Sequence, residues 1–94
     1  MFVQAACIEI DSEADSSDVA VVLRTLTSGG PFAVSAVEHL GSSRHRCQFG
    51  LARPGLAVGY RSLIELQHRI DREFDIVSVD HHSSHFSNKA PVLA

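Results

Sequence analysis

Six histidines stand in the chain, and three of them, His81, His82 and His85, fall inside the stretch SVDHHSSHF (78–86). Imidazole is a common ligand for zinc and similar transition metals, and it titrates near neutrality, so the cluster offers metal binding or acid-base chemistry. His39 and His45 form a second group, with Cys47 two residues further on. A metal reading therefore uses His39 and His45 with Cys47, or His81, His82 and His85, or joins the two clusters across an oligomer interface, with a transition metal such as zinc as cofactor. On an extended strand His81 and His85 share a face and His82 points away, so this group chelates only if the chain bends at its serines. An acid-base reading has Asp80 orienting His82, or Glu38 a neighbour. Nucleophilic catalysis finds less support. Ser42, Ser43, Ser83 and Ser84 lie in polar, turn-like runs with no nucleophile-elbow motif, and Cys47 is followed on its own strand face by Phe49 and Leu51. That is the setting of a buried structural thiol. No catalytic residue is assigned, and the chain reads as leaning away from an enzyme.

The elements that must carry these residues emerge from an internal repeat. Shifting the chain by 42 positions lays FAVSAVEHLGSS (32–43) over FDIVSVDHHSSH (74–85), matching Phe32 with Phe74, Val37 with Val79, Glu38 with Asp80 and His39 with His81. Each half reads strand, helix, strand. VQAACIEI is an apolar run of strand length, and DSSDVAVVLRTL opens on capping residues and repeats Val19, Val22, Leu23 and Leu26 at helical spacing. The helix stops at SGGP, and FAVSAVEHL follows as a strand. In the second half HRCQFGLA is a strand. Leu56, Tyr60, Leu63, Ile64, Gln67, Ile70 and Phe74 then mark one side of a long helix, with Glu65–Arg69 and Arg69–Glu73 as ion pairs on its solvent side. DIVSVDH closes the pattern.

Two right-handed βαβ units joined by a hairpin give the ferredoxin-like βαββαβ plan, an α+β sandwich with an antiparallel sheet of order 4-1-3-2 and two helices on one face. A single domain over residues 1–86 is expected, with pseudo-duplicated halves 1–42 and 43–84 and a C-terminal tail at 87–94. LGSSR fits the hairpin loop, and pairing Leu40 with Arg44 sets Glu38 against Arg46, His39 against His45 and Val37 against Cys47. The two paired histidines then stand about 5 Å apart. Strands 1 and 3 are expected to start at the sheet end where strands 2 and 4 finish, which gathers the histidines and Cys47 at one rim. His39 and His81 still lie on opposite edge strands, about 14 Å apart, too far to share a metal within one subunit. On the first strand both alternating sets, Val3/Ala5/Cys7 and Ala6/Ile8/Ile10, are largely apolar. Two helices cover only one sheet face, so a homo-oligomer is expected, built across the open face or by edge pairing.

Charge and composition exclude several classes. The 94 residues are 45% hydrophobic with a net charge of −3, enough apolar material for one core. Residues 1–42 hold one base, Arg24, against six acids, and residues 43–94 hold seven bases against five acids. The bases of the second half alternate with acids, so no nucleic-acid partner is expected. No apolar run approaches the ~18 residues of a membrane span, and the opening MFVQAACIEID lacks the pattern of an export signal, so a cytoplasmic protein without a membrane partner is expected. With no C-x-x-C spacing, Cys7 and Cys47 are expected to be free.

The remaining motif is LARPGLAVGYRSLIELQHRI (51–70), whose Pro54–Gly55 turn sits between strand and helix. Free N–H groups at a helix start suit a carboxylate or phosphate. Together with FDIVSVDH, this stretch resembles, over residues 47–81 at most, the βαβ opening of ACT regulatory domains. The resemblance implies a ferredoxin-like fold, oligomers, and amino-acid binding near the Pro-Gly turn at subunit interfaces. On this chain it points to Arg53, Gly55 and Leu56. The leading expectation is a small oligomeric ligand-binding or regulatory module that contacts an anion or an amino acid, with a small-molecule or protein partner. The alternatives are a metal-binding or metal-responsive protein using the histidines, and a small ferredoxin-like enzyme with histidine acid-base chemistry.

Overall fold

The computed structural model describes residues 2–84; His85 and the expected tail at 87–94 lie outside the described residues. Six elements follow in order: β1 (Phe2–Asp11), α1 (Ser16–Thr27), β2 (Phe32–Gly41), β3 (Arg44–Leu51), α2 (Tyr60–Asp71) and β4 (Asp75–Ser84). The strands form one antiparallel sheet of order β2-β3-β1-β4, which is the expected 4-1-3-2 arrangement of the ferredoxin-like plan. Among the described residues no helix is long and apolar enough to cross a membrane.

The core lies between the sheet and the two helices. From β1 come Val3, Ala6, Ile8 and Ile10; from β3, Cys47 and Phe49; from α1, Val19 and Leu23; from α2, Leu63, Leu66 and Ile70. Each large aliphatic or aromatic side chain removed from water contributes about 1.5–3 kcal/mol before its entropy cost. Val3 and Ala6 both face inward although they are three residues apart, because the register against β4 slips between Val3 and Ala5. Such a bulge reverses the alternation of the strand. The two sets expected on β1 are thereby corrected: Val3 joins the buried set, and the outer face shows Ala5, Cys7, Glu9 and Asp11. That face is less apolar than simple alternation suggested.

The hairpin register is as expected for Val37 with Cys47, Glu38 with Arg46 and His39 with His45. Gly41, and not Leu40, stands opposite Arg44, so the loop shrinks to Ser42 and Ser43. A turn this tight needs left-handed backbone, supplied by Gly41 at φ 117 and Ser42 at φ 54.

The long helix is shorter than its periodicity predicted. It starts at Tyr60, after an irregular strap at 56–59 that is tied to β1 by the bond from Val3 N–H to the Val58 carbonyl at 2.8 Å. Its buried stripe is Leu63, Leu66 and Ile70, while Tyr60 stays exposed and Ile64 and Gln67 are half-buried. Arg69 does not make the expected i,i+4 pairs. Its guanidinium donates to the Leu26 carbonyl at 3.2 Å, tying α2 to the end of α1.

Candidate functional site

The turn singled out in the sequence begins where β3 ends. Ala52 N–H donates to the Pro31 carbonyl at 2.8 Å, which holds the start of the turn against the connection between α1 and β2. Gly55 adopts φ 82, a left-handed conformation that costs other residues about 1–2 kcal/mol, and a Cβ there would meet nothing within 4 Å. The strap at 56–59 separates this turn from α2, so Pro54 and Gly55 do not stand at a helix N-terminus. The expected reading of free helical N–H groups at Gly55 is corrected on that ground. Leu56 packs against the core, and Arg53 is exposed.

Arg53 has a neighbour that the sequence did not suggest. It lines, with Arg24, Ser28, Gly29, Ala33 and Ala52, a cleft of about 400 Å³ between the end of α1 and the start of β2. Among the described residues no acidic side chain lines this cleft. Neither arginine belongs to any of the ion pairs among the described residues, which join Arg44 and Arg46 to Glu9 and Arg46 to Glu38. The carbonyls at the end of α1 do not absorb the charge of Arg53. Thr27 Oγ1 donates to the Leu23 and Arg24 carbonyls, and Arg69 takes that of Leu26. Arg24 faces the cleft from the last helical turn, where a cation also complements the helix dipole.

The histidines do not gather at one rim. The crossover through α1 makes β1 and β2 run the same way, and the hairpin turns β3 against them, so β1 ends where β3 begins. His39 and His45 therefore lie at the end where β1 and β2 finish, and His81 and His82 lie near the opposite end, beside Ala6 and Ala5. The single-rim expectation fails because adjacent antiparallel strands cannot start at the same end.

Each histidine has its own surroundings. The His39 and His45 rings pair with centroids 5.1 Å apart. His45 is 1% exposed; its Nε2–H donates to the Ser12 carbonyl at 3.3 Å, which leaves Nδ1 to accept from Ser16 Oγ at 3.3 Å. His39 Nε2–H donates to the Ser42 carbonyl at 2.7 Å. His81 packs against Tyr60 on the helix side, with Nδ1 2.7 Å from Ser83 Oγ, while His82 stands on the open face. Among the described residues no three metal-ligating side chains converge.

The open face carries a shallow hollow of about 410 Å³, lined by Ala5, Cys7, Gln48, Gly50, Asp80 and His82. Beyond it runs the ion-pair row, in which Arg46 bridges Glu9 at 3.4 Å and Glu38 at 3.6 Å, with Arg44 3.7 Å from Glu9. Burial pushes the Cys7 thiol above its ordinary range, partly opposed by the Arg46 charge. Burial, followed by the neighbouring Cys7, pushes Cys47 up to about 11. Neither thiol is activated as a nucleophile, since activation needs a lowered pKa.

Sequence reasoning missed Arg24, although it is the one base of the acidic first half. It also missed the shared outward face of Cys7, Asp80 and His82, which period-2 alternation on β4 puts within reach for the last two.

No family model matches the chain, and no curated protein matches it. Among solved structures the fold is similar to that of the TT0538 protein from Thermus thermophilus, known from a crystal structure, with a TM-score of 0.77 at 15% identity. The similarity covers 85% of this chain and 19% of that one, so the chain spans about a fifth of that protein's length. The likeness is one of fold.

Proposed function

We propose that this chain is a small, non-catalytic ligand-binding or regulatory module, working as a homo-oligomer, whose ligand is an anion or an amino acid held through its carboxylate. The fold and the partial resemblance to ACT-type domains agree with this reading. The carrying observation is that Arg53, from the turn already singled out, shares an acid-free cleft with Arg24, and neither guanidinium has an ionic partner among the described residues. Two guanidinium groups facing one carboxylate offer charge-assisted, bidentate hydrogen bonds, roughly twice as strong as neutral ones. Gly55 serves by shaping the turn that carries Arg53, and Leu56 by anchoring that turn to the core.

Isothermal titration of a panel of amino acids and small carboxylates tests the reading. One or more should bind the wild type, and Arg53→Ala should weaken binding at least about tenfold, the loss of one charge-assisted pair. Unchanged affinity in Arg53→Ala would remove this residue from the site.

A metal-responsive reading retains one supporting observation, the His39–His45 pair at 5.1 Å. It requires further ligands from another subunit. Elemental analysis of untagged protein decides it: stoichiometric zinc lost on His39→Ala supports the reading, and metal-free protein removes it.

A further inference from the structure

The open sheet face divides into rows that are complementary to one another in size. Cross-strand register puts Ala36, Gln48, Cys7 and Asp80 at one level across the four strands. Two residues toward the end where β1 finishes, the row is Glu38, Arg46, Glu9 and Ser78; the other way, two residues along β1, β3 and β4 and three along β2, where Ser35 bulges, it is Ala33, Gly50, Ala5 and His82. The first row is long-chained and ion-paired except at Ser78. The second is small except at His82, and it floors the hollow of about 410 Å³.

From this pattern we infer that the open face is the contact between two copies of this chain, packed face to face and turned end for end about an axis along the central row. This rests on the oligomeric part of the reading above and names its surface. The rotation lays Glu38, Arg46 and Glu9 of one copy over Ala33, Gly50 and Ala5 of the other. His82 falls over the partner's Ser78. Every position of the two outer rows meets a position of the opposite size, which is the self-complementarity that an isologous dimer requires.

Charge permits the fit, because the projecting row arrives already neutralised in part within its own copy: Arg46 holds two carboxylates, and Arg44 supports Glu9. Facing sheets about 10 Å apart leave room for such side chains to interdigitate. The central row meets itself, so Cys7 of one copy faces Cys7 of its partner, and the Asp80 pair lies at the sheet edge, in water. Four strands of 8 to 10 residues give a projected footprint of roughly 500–600 Å². That is the low end of specific interfaces, so the dimer should be a weak, reversible one.

Register slips within β2, at Ser35 and at Leu40, interrupt the edge that a second sheet would extend. The β4 edge is interrupted at Val77 as well, and broken edges oppose strand-to-strand addition, which favours the face over the edge.

Sedimentation equilibrium across about 1 to 300 µM tests the inference. The wild type should pass from monomer to dimer in that range. Gly50→Arg, at a site where a Cβ meets nothing within 4 Å, should weaken association at least about tenfold without unfolding the subunit. Adding Arg46→Gly to it exchanges the large and the small residue of that one facing pair and should restore the dimer. A short bismaleimide should bridge the wild type through Cys7, since Cys47 is buried. A protein that stays monomeric, or a dimer indifferent to Gly50→Arg and not bridged through Cys7, overturns the proposed face. The ligand reading is separated by titrating the carboxylate panel into the monomeric Gly50→Arg variant. Binding there alongside a wild type that never dimerises sinks the interface alone, and a sound dimer without any ligand sinks the other reading alone.

Discussion

At the scale of single residues, the two cysteines separate what burial does from what position does. Cys47 is fully buried on the helix side, with its thiol pushed up to about 11, and its strand neighbours Phe49 and Leu51 mark it as structural. An unfolded chain ionises this thiol near its ordinary value of 9.0, while the folded chain holds the proton longer. Between those values the native state binds more protons, so the contribution to stability is complete below pH 9 and disappears as the pH rises toward 11. Two units amount to a loss on the order of 2–3 kcal/mol. Denaturant melts at about pH 8 and about pH 10.5 should show this alkaline loss in the wild type and a smaller one in Cys47→Ala. Arg24 illustrates the opposite case. Its identity as a lone base is visible in the sequence, but its sharing of a cleft with Arg53 depends on the fold, where the Ala52–Pro31 bond holds the start of the turn, a contact no local spacing reveals.

At the scale of elements, the hairpin and α2 show where a pattern suffices. Opposite charges and apolar pairs set the register of β2 and β3, because a one-residue slip would turn every side chain to the wrong face. The loop length escaped, since a residue that bulges near Leu40 leaves no compositional trace. Helical periodicity found α2 but extended it back over 56–59, where apolar residues belong to a strap bonded to β1. The actual stripe makes a direct expectation: Leu66→Ala should cost about 2–4 kcal/mol in urea melts, and Gln67→Ala less than about 0.5. Equal costs would contradict the assigned face. At the 53–55 turn, Gly55→Ala should cost about 1–2 kcal/mol through backbone strain alone, because no neighbouring atom obstructs a Cβ.

At the scale of the whole molecule, the strand order followed from a repeat in the sequence, but the placement of the histidines did not. Order and direction are separate questions, and the single-rim expectation got the direction of β3 wrong. Correcting it splits His39 and His45 from His81 and His82, and moves attention to two surfaces assembled by several elements: the cleft shared by Arg24 and Arg53, and the open sheet face. Neither could be read from one segment. Calorimetric titration of matched wild-type and Arg24→Ala/Arg53→Ala proteins decides whether the cleft binds a carboxylate or similar anion. Saturable binding of at least one ligand by the wild type, with a Kd below about 1 mM that the double variant loses by two orders of magnitude or more, is the expected result. Equal binding by both proteins, or no binding by the wild type across the panel, would contradict it.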